Sequence, residues 1–267
     1  MLDAYKQYLV GIGRSEGTIK QRMHQLHRLA QTVDSFPYCT EEDLDQFMAT
    51  RLKTASPETR KAMRSAIRGF YAWAKKRGYI SHDPAYGMEP IRIPRALPRP
   101  LPDRLLKEAY EKASEEVKAM MLLGAMGGLR LSEITNLHMD DREENVLRVK
   151  GKGGKYRLVP MNTTLRMALD RMEQIRPHGY YFPNPATGQP RSISYVDKHL
   201  RENLPKKYAA HSLRHRAASV AYSATKDIRS VQELLGHSSV ATTQLYTAIT
   251  SDDLLKVADA TDWRNVA

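Results

Sequence analysis

The chain is 267 residues long and 41% hydrophobic, with 42 lysines and arginines against 30 aspartates and glutamates for a formal net charge of +12. Such a composition allows two domains with their own cores and excludes disorder as the default, and its charge favours a polyanion, because each cation that neutralises a phosphate releases counterions. The lone Cys39 excludes a disulfide framework and a cysteine zinc site, and neither a signal peptide nor an apolar run of membrane-spanning length is present.

The first ninety residues read as short helices. Ser15 to Ala30 carries Ile19, Met23, Leu26 and Leu29 at amphipathic spacing. Thr40-Glu41-Glu42-Asp43 resembles a capping box and opens a helix through Phe47 and Leu52. Ser56-Pro57-Glu58 is a start signal of another kind, a capping serine followed by proline at the first helical position. In the helix that follows, Met63, Ile67, Phe70 and Ala74 form an apolar stripe. Arg60, Lys61, Arg64, Arg68 and Lys75 form a basic stripe roughly 100° around the wheel. A solvated face would account for that stripe; so would a flank laid along a phosphate backbone, with Lys20 as a further contact.

Residues 82 to 102, HDPAYGMEPIRIPRALPRPLP, break the helical pattern with six prolines and read as an extended linker. Arg95 and Arg99 within it suggest that it tracks an anion. We therefore expect a helical domain over 1–90, a linker over 91–101 and a second domain over 102–267. In the second domain, helices over 102–112 and 115–126 lead into Gly127-Gly128-Leu129-Arg130. VLRVKGKGGKYRLVP, residues 146–160, is a hairpin signal around a glycine-rich turn. Helices follow from Asn162 to the end. The expected fold is mainly α with a small antiparallel sheet.

Four pieces of the second domain could carry chemistry. Arg130 opens a helix after two glycines; alone it reads as a surface residue or a partner of Glu133, or as an oxyanion ligand. Lys152 in the hairpin turn is either a solvated tip or a proton donor reaching a neighbouring groove. His211-x-x-Arg214 sets a proton carrier beside a fixed cationic fork on one helix face. Leu234-Leu235-Gly236 looks like a helix with a glycine cap, so His237 lies at a junction before a Ser238-Ser239 helix start. Helical spacing by itself favours a packed Tyr246. After the first arginine helix the carboxylates pair at Asp140-Asp141 and Glu143-Glu144, while the candidates are cations, histidines and a tyrosine, so the set suits metal-free attack on a phosphodiester better than metal hydrolysis.

Taken in order, Arg130, Lys152, His211-x-x-Arg214, His237 and Tyr246 resemble the catalytic signature of the tyrosine recombinases, the phage-integrase family. GLRLSEI, VKGKGGKYRLVPM, HSLRH and VQELLGHSSVATTQLYT match as well, and the first segment resembles the family's SAM-like core-binding domain. The resemblance implies an α+β catalytic domain with a docking helix at its C-terminus. It implies two domains that clamp DNA and a homotetramer on paired double-stranded recombination sites. Tyr246 would attack the scissile phosphate to give a 3′-phosphotyrosine, and a Holliday junction would follow. Arg130 and Arg214 would hold the non-bridging oxygens and Lys152 would protonate the leaving 5′-oxygen. His211 would assist the tyrosine, His237 would hydrogen-bond the phosphate and Glu133 would orient the site. No metal, ATP or other cofactor is expected.

Two positions depart from the family pattern: Thr225 stands where glycine is common, and Arg216 where a small hydroxyl residue is. Family-like helices begin within the first residues, so we expect no arm-binding domain and short recombination sites. SDDLLKVADATDW after Tyr246 looks like an amphipathic helix that docks on a neighbouring protomer. The expected setting is phage or mobile-element integration and excision in the bacterial cytoplasm, at the nucleoid, with a directionality factor as a candidate partner. A topoisomerase of type IB, a chromosome-dimer-resolving recombinase and a non-catalytic DNA-binding relative are the alternatives.

Overall fold

The computed structural model describes residues 1–50, 52–93, 99–236 and 251–263, with Lys152 and residues 251–254 described by backbone alone. The chain divides into two compact units, Met1–Ala96 and Leu97–Ala267, and the division falls inside the proline-rich stretch.

The first unit is built of α1 (Leu2–Gly11), α2 (Glu16–Ala30), α3 (Glu41–Thr50) and α4 (Pro57–Lys76). Its starts follow from local chemistry. Ser15 and Ser56 accept from the amides of Thr18 and Thr59, Pro57 takes the first position of α4, and Thr40 and Asp43 exchange side-chain and amide bonds at 2.9 and 3.2 Å. α3 stops short of the expected Leu52, which is buried in the turn beyond it. Met63, Ile67, Phe70 and Ala74 are all fully buried, as their spacing predicts. The ring of Tyr5 meets Phe70 edge-on at 5.4 Å, and Arg22 donates to the Tyr5 hydroxyl at 3.0 Å, so α1, α2 and α4 share one aromatic core.

The second unit is organised around α6 (Glu115–Ala125), which follows α5 (Asp103–Lys112) and is apolar around nearly its whole circumference; α8 (Thr163–Ile175), α9 (Ile193–Asn203) and α10 (Ala210–Thr225) enclose it. A helix wetted on no face must be central. The expected hairpin is present as β2 (Val146–Lys150) and β3 (Tyr156–Pro160), antiparallel, with Gly153 and Gly154 at positive φ in its turn. A two-residue strand, β1 (Arg142–Glu143), adds to β2; so short a segment carries no periodicity from which to read it. The register pairs Leu147 with Val159 and Val149 with Arg157, so Arg157 stands on the face that buries Leu147 and Val149. α7 (Leu131–Thr135) and α11 (Ile228–Leu235) complete the unit before the terminal helix α12 (Ser251–Asp259).

The tail packs on its own unit. Val257, Ala258, Thr261 and Asp262 are buried, Trp263 meets Tyr110 edge-on at 4.9 Å, and Asn162 donates to the Ala258 carbonyl at 3.2 Å. The expectation from the sequence is docking on a neighbouring protomer; within the single chain, residues 255–263 lie against the unit that carries them. Arg216 explains part of this. It is 1% exposed, pairs with Asp103 at 2.6 Å, and donates to the carbonyls of Ala125 at 3.0 Å and Thr261 at 2.6 Å. Its charge therefore anchors the tail and is not added to the Arg214 environment. Thr225 remains helical and bonds the Ala221 carbonyl, while Lys226 takes the left-handed position at φ 55°. Among the described residues no helix is long and apolar enough to cross a membrane.

Candidate active site

The site is assembled at the start of α7. Gly128, at φ +62°, turns the chain, and Arg130 then occupies the N-cap. Glu133 reaches back to accept from the Arg130 amide at 2.8 Å and from its Nη1 at 2.7 Å. The Glu133 side chain is 3% exposed, and so buried a carboxylate needs cationic partners. It has a second: Arg157 donates Nη1 to Oε1 at 2.9 Å and Nη2 to Oε2 at 2.7 Å, a bidentate fork. Arg214, buried on α10, stands at 3.9 Å from Oε2.

The same three guanidiniums bind the end of α11. Arg157 Nε donates to the carbonyl of Leu234 at 2.8 Å, Arg214 Nη2 to that of Leu235 at 2.5 Å, and Arg130 Nη2 to that of Gly236 at 3.0 Å. These carbonyls lie at a helix C-terminus, where the backbone carries partial negative charge and lacks intrahelical donors. Gly236 ends the helix at φ 61°, as Leu234-Leu235-Gly236 predicts. Arg214 also donates Nη1 to the Gly128 carbonyl, tying α10 to the turn before Arg130. A Cβ added at Gly128 would lie 2.7 Å from Leu235 Cδ2. We expect Gly128→Ala to cost ~1–3 kcal/mol in a denaturation midpoint, through strained φ and displacement of α11.

Electrostatics follow the geometry. Burial pushes the Glu133 carboxyl upward, but the bonds and charge of Arg157, then those of Arg130, outweigh it and pull the pKa down to about 2. Burial and the neighbouring Arg130 and Arg157 lower Arg214 to about 9, still protonated at neutral pH. His211, on the first turn of α10, is held below its usual value by partial enclosure of its ring and by the charges of Arg214 and Arg130, which favours the neutral base. The rings of His211 and His215 meet at 4.1 Å.

Arg130, Glu133 and Arg214 are thus brought together, with His211 within reach of their charge. Lys152 opens the β2–β3 turn, described here by its backbone; a Cβ on the preceding Gly151 would lie 3.8 Å from both Glu133 Oε1 and Arg157 Nη1. His237, Tyr246 and Arg95 lie outside the described residues. Of the expected DNA contacts, Lys20, Lys61 and Arg99 are exposed and Arg60 and Arg68 half-buried. Arg64 is half-buried too, its Nε donating to the Met88 carbonyl at 3.1 Å. Arg157 is the residue that sequence reasoning missed. The available signal was register: closing the hairpin on its glycines puts Arg157 opposite Val149, on the buried face.

Residues 102–252 match the family described as Phage integrase family, and residues 2–78 match Phage integrase, N-terminal SAM-like domain. A tyrosine recombinase XerC of Pseudomonas fluorescens is 32% identical over 286 residues, covering 97% of this chain and 95% of its own. A lambda integrase dimer (residues 75–356) bound to a COC′ core site superposes with a TM-score of 0.73 at 18% identity, over 94% of this chain and 97% of that one. A lambda integrase tetramer bound to a Holliday junction gives 0.74 at 16% identity, over 91% and 79%.

Proposed function

Because this chain belongs to the phage integrase family and is a site-specific tyrosine recombinase that cuts and rejoins DNA, we propose that Tyr246 is its nucleophile and that the cluster around Glu133 holds the scissile phosphate. The tyrosine oxygen attacks phosphorus, the bond to the 5′-oxygen breaks, and the DNA is left with a 3′-phosphotyrosine and a free 5′-hydroxyl. Arg130 and Arg214 hold the non-bridging oxygens. Neutral His211 receives the tyrosine proton, Lys152 supplies one to the 5′-oxygen, and His237 hydrogen-bonds the phosphate. Attack by a partner strand's 5′-hydroxyl reverses the step, so the phosphodiester energy is retained through a Holliday junction.

The observation that carries this reading is the convergence of Arg130 and Arg214, distant in sequence, on one buried carboxylate, with their remaining N–H groups at the end of the helix that leads to Tyr246. Fixed cations beside a developing charge need no reorganisation when the charge forms. The basic flank of α4 and the exposed Lys20 and Arg99 fit a duplex backbone, and in this reading the chain works as a homotetramer on paired sites, in the cytoplasm at the nucleoid, with a directionality factor where excision is favoured. The setting is phage or mobile-element integration and excision; resolution of chromosome dimers is the alternative that uses the same chemistry.

The test begins with binding sites selected from a random duplex pool and rebuilt as nicked suicide substrates. An SDS-resistant protein–DNA adduct should form with the wild type and disappear in Tyr246→Phe, while gel-shift affinity is kept. Two-site DNA should yield recombinants. Relaxed circles alone would identify a topoisomerase instead, and an adduct that survives Tyr246→Phe would remove Tyr246 from its role.

A further inference from the structure

Arg157 has no part in the phosphate chemistry set out above, yet it is bonded into the site as fully as Arg130 is. It comes from the core face of a β-hairpin, is 10% exposed, and divides its guanidinium between both oxygens of Glu133 and the carbonyl of Leu234. An arginine on a buried strand face is costly to desolvate, and one that only filled space there would be replaceable by an aliphatic side chain. Its position suggests what the cost secures.

We propose that Arg157 is a positioning residue for strand cleavage: by saturating Glu133 it keeps Arg214 free for the phosphate, and by holding Leu234 it fixes the end of the helix that leads to the nucleophile. The argument starts from Glu133. Each of its oxygens accepts one bond from Arg130 and one from Arg157, so Arg214 stays at 3.9 Å, outside hydrogen-bonding reach. Without Arg157, the carboxylate has an empty acceptor site on each oxygen in a water-poor setting, and Arg214 is the cation already closest to it. Moving inward by about 1 Å would convert that approach into a charge-assisted hydrogen bond. Arg214 would then leave the carbonyls of Gly128 and Leu235 that now orient it.

Charge points the same way. Three guanidiniums and one carboxylate leave the cluster two charges positive, which matches the two negative charges of a pentacoordinate phosphorane. Loss of Arg157 halves that excess in a site where low dielectric magnifies every charge. The third contact bears on delivery. Leu234, Leu235 and Gly236 each have their own arginine, so Arg157 is one of three bolts on the α11 terminus, and the one drawn from the hairpin whose turn carries Lys152. Arg157 thereby links the hairpin that carries Lys152, the Glu133 cluster and the C-terminal end of α11.

This inference rests on the phosphotyrosine reading, and the experiment separates the two. Single-turnover adduct formation on the nicked substrate is measured for the wild type, Arg157→Met, Arg157→Lys, Glu133→Gln and the Glu133→Gln/Arg157→Met pair, with gel-shift affinity and Tm alongside. Arg157→Met should bind DNA as the wild type does and form adduct roughly 10–100-fold more slowly, the loss typical of a residue that orients a ligand's ligand. Arg157→Lys, charged but unable to fork, should recover only part of the rate. The decisive result is the pair: with Glu133 neutralised, Arg214 is no longer drawn inward and only the Leu234 contact and one charge are lost, so Arg157→Met should slow Glu133→Gln by a clearly smaller factor than it slows the wild type. A role in folding alone would lower Tm and give losses that multiply. Multiplying losses, or Arg157→Lys cleaving at the wild-type rate, would overturn the proposal. No adduct with the wild type would sink the phosphotyrosine reading and this inference with it, whereas a normal wild-type adduct matched by Arg157→Met sinks this inference alone.

Discussion

Glu133→Leu should lower the stability of the second unit by ~3–5 kcal/mol, the range expected when one member of a buried ionic cluster is removed and the others are left unpaired. Leucine fills much of the volume, so the loss comes from three guanidiniums that face one another with no counter-charge. Acid should reach a related state without mutation. The Glu133 carboxyl is depressed from 4.5 to about 2, so its contribution is complete above the unfolded-state value and disappears as pH falls from 4.5 through 2. At 1.36 kcal/mol per unit the contribution is about 3 kcal/mol, undiscounted because the side chain is almost fully enclosed. Denaturant midpoints measured from pH 7 down to pH 2.5 should fall steeply for the wild type below pH 4.5. Glu133→Leu should begin low and lack that component. Parallel acid curves for the two proteins would show that the carboxylate is not the hub that the geometry describes.

The parts of this molecule that were legible in its sequence are those whose cause is local. Ser15, Ser56 and Asn162 cap helices because their side-chain oxygens meet amides three residues on, and such spacing can be read directly. Gly153, Gly154 and Gly236 occupy positions that need positive φ, and each follows a periodic run. Arg130, Glu133, His211 and Arg214 were readable as a set only through family resemblance, since no local rule joins residues so far apart in sequence. What could not be read depends on tertiary partners. Arg157 looks like an ordinary basic residue in YRLVP, where Tyr156 and Leu158 suggest the buried face and are in fact exposed. Arg216 looks like added charge near Arg214, and only the fold shows Asp103 and the Thr261 carbonyl waiting for it. Thr225 stands where glycine is common in the family, and the left-handed residue is its neighbour Lys226, a shift of one position that sequence leaves open.

Deleting residues 251–267 should destabilise the protomer itself, and the size of the effect can be argued from what the tail leaves behind. Val257 is buried, and its exposure alone is worth about 1.5–3 kcal/mol. Thr261 donates to the Met126 carbonyl at 3.1 Å, Asn162 to Ala258, Thr164 to Asp262 and Arg216 to Thr261, and each loss strands a buried group at about 1 kcal/mol or more. The sum is roughly 6 kcal/mol, a large share of the ~5–15 kcal/mol that holds a domain together. For a unit of this size that should lower Tm by about 10–20 °C. Arg216→Ser provides a gentler form of the same test, because it removes the anchor and keeps the tail; it should shift Tm in the same direction by a smaller amount. If the tail served only as an arm for a neighbouring protomer, both variants would melt like the wild type as monomers and fail only in assembly. Monomer melting curves measured at low protein concentration decide between the two, since a contact made within the chain does not weaken on dilution.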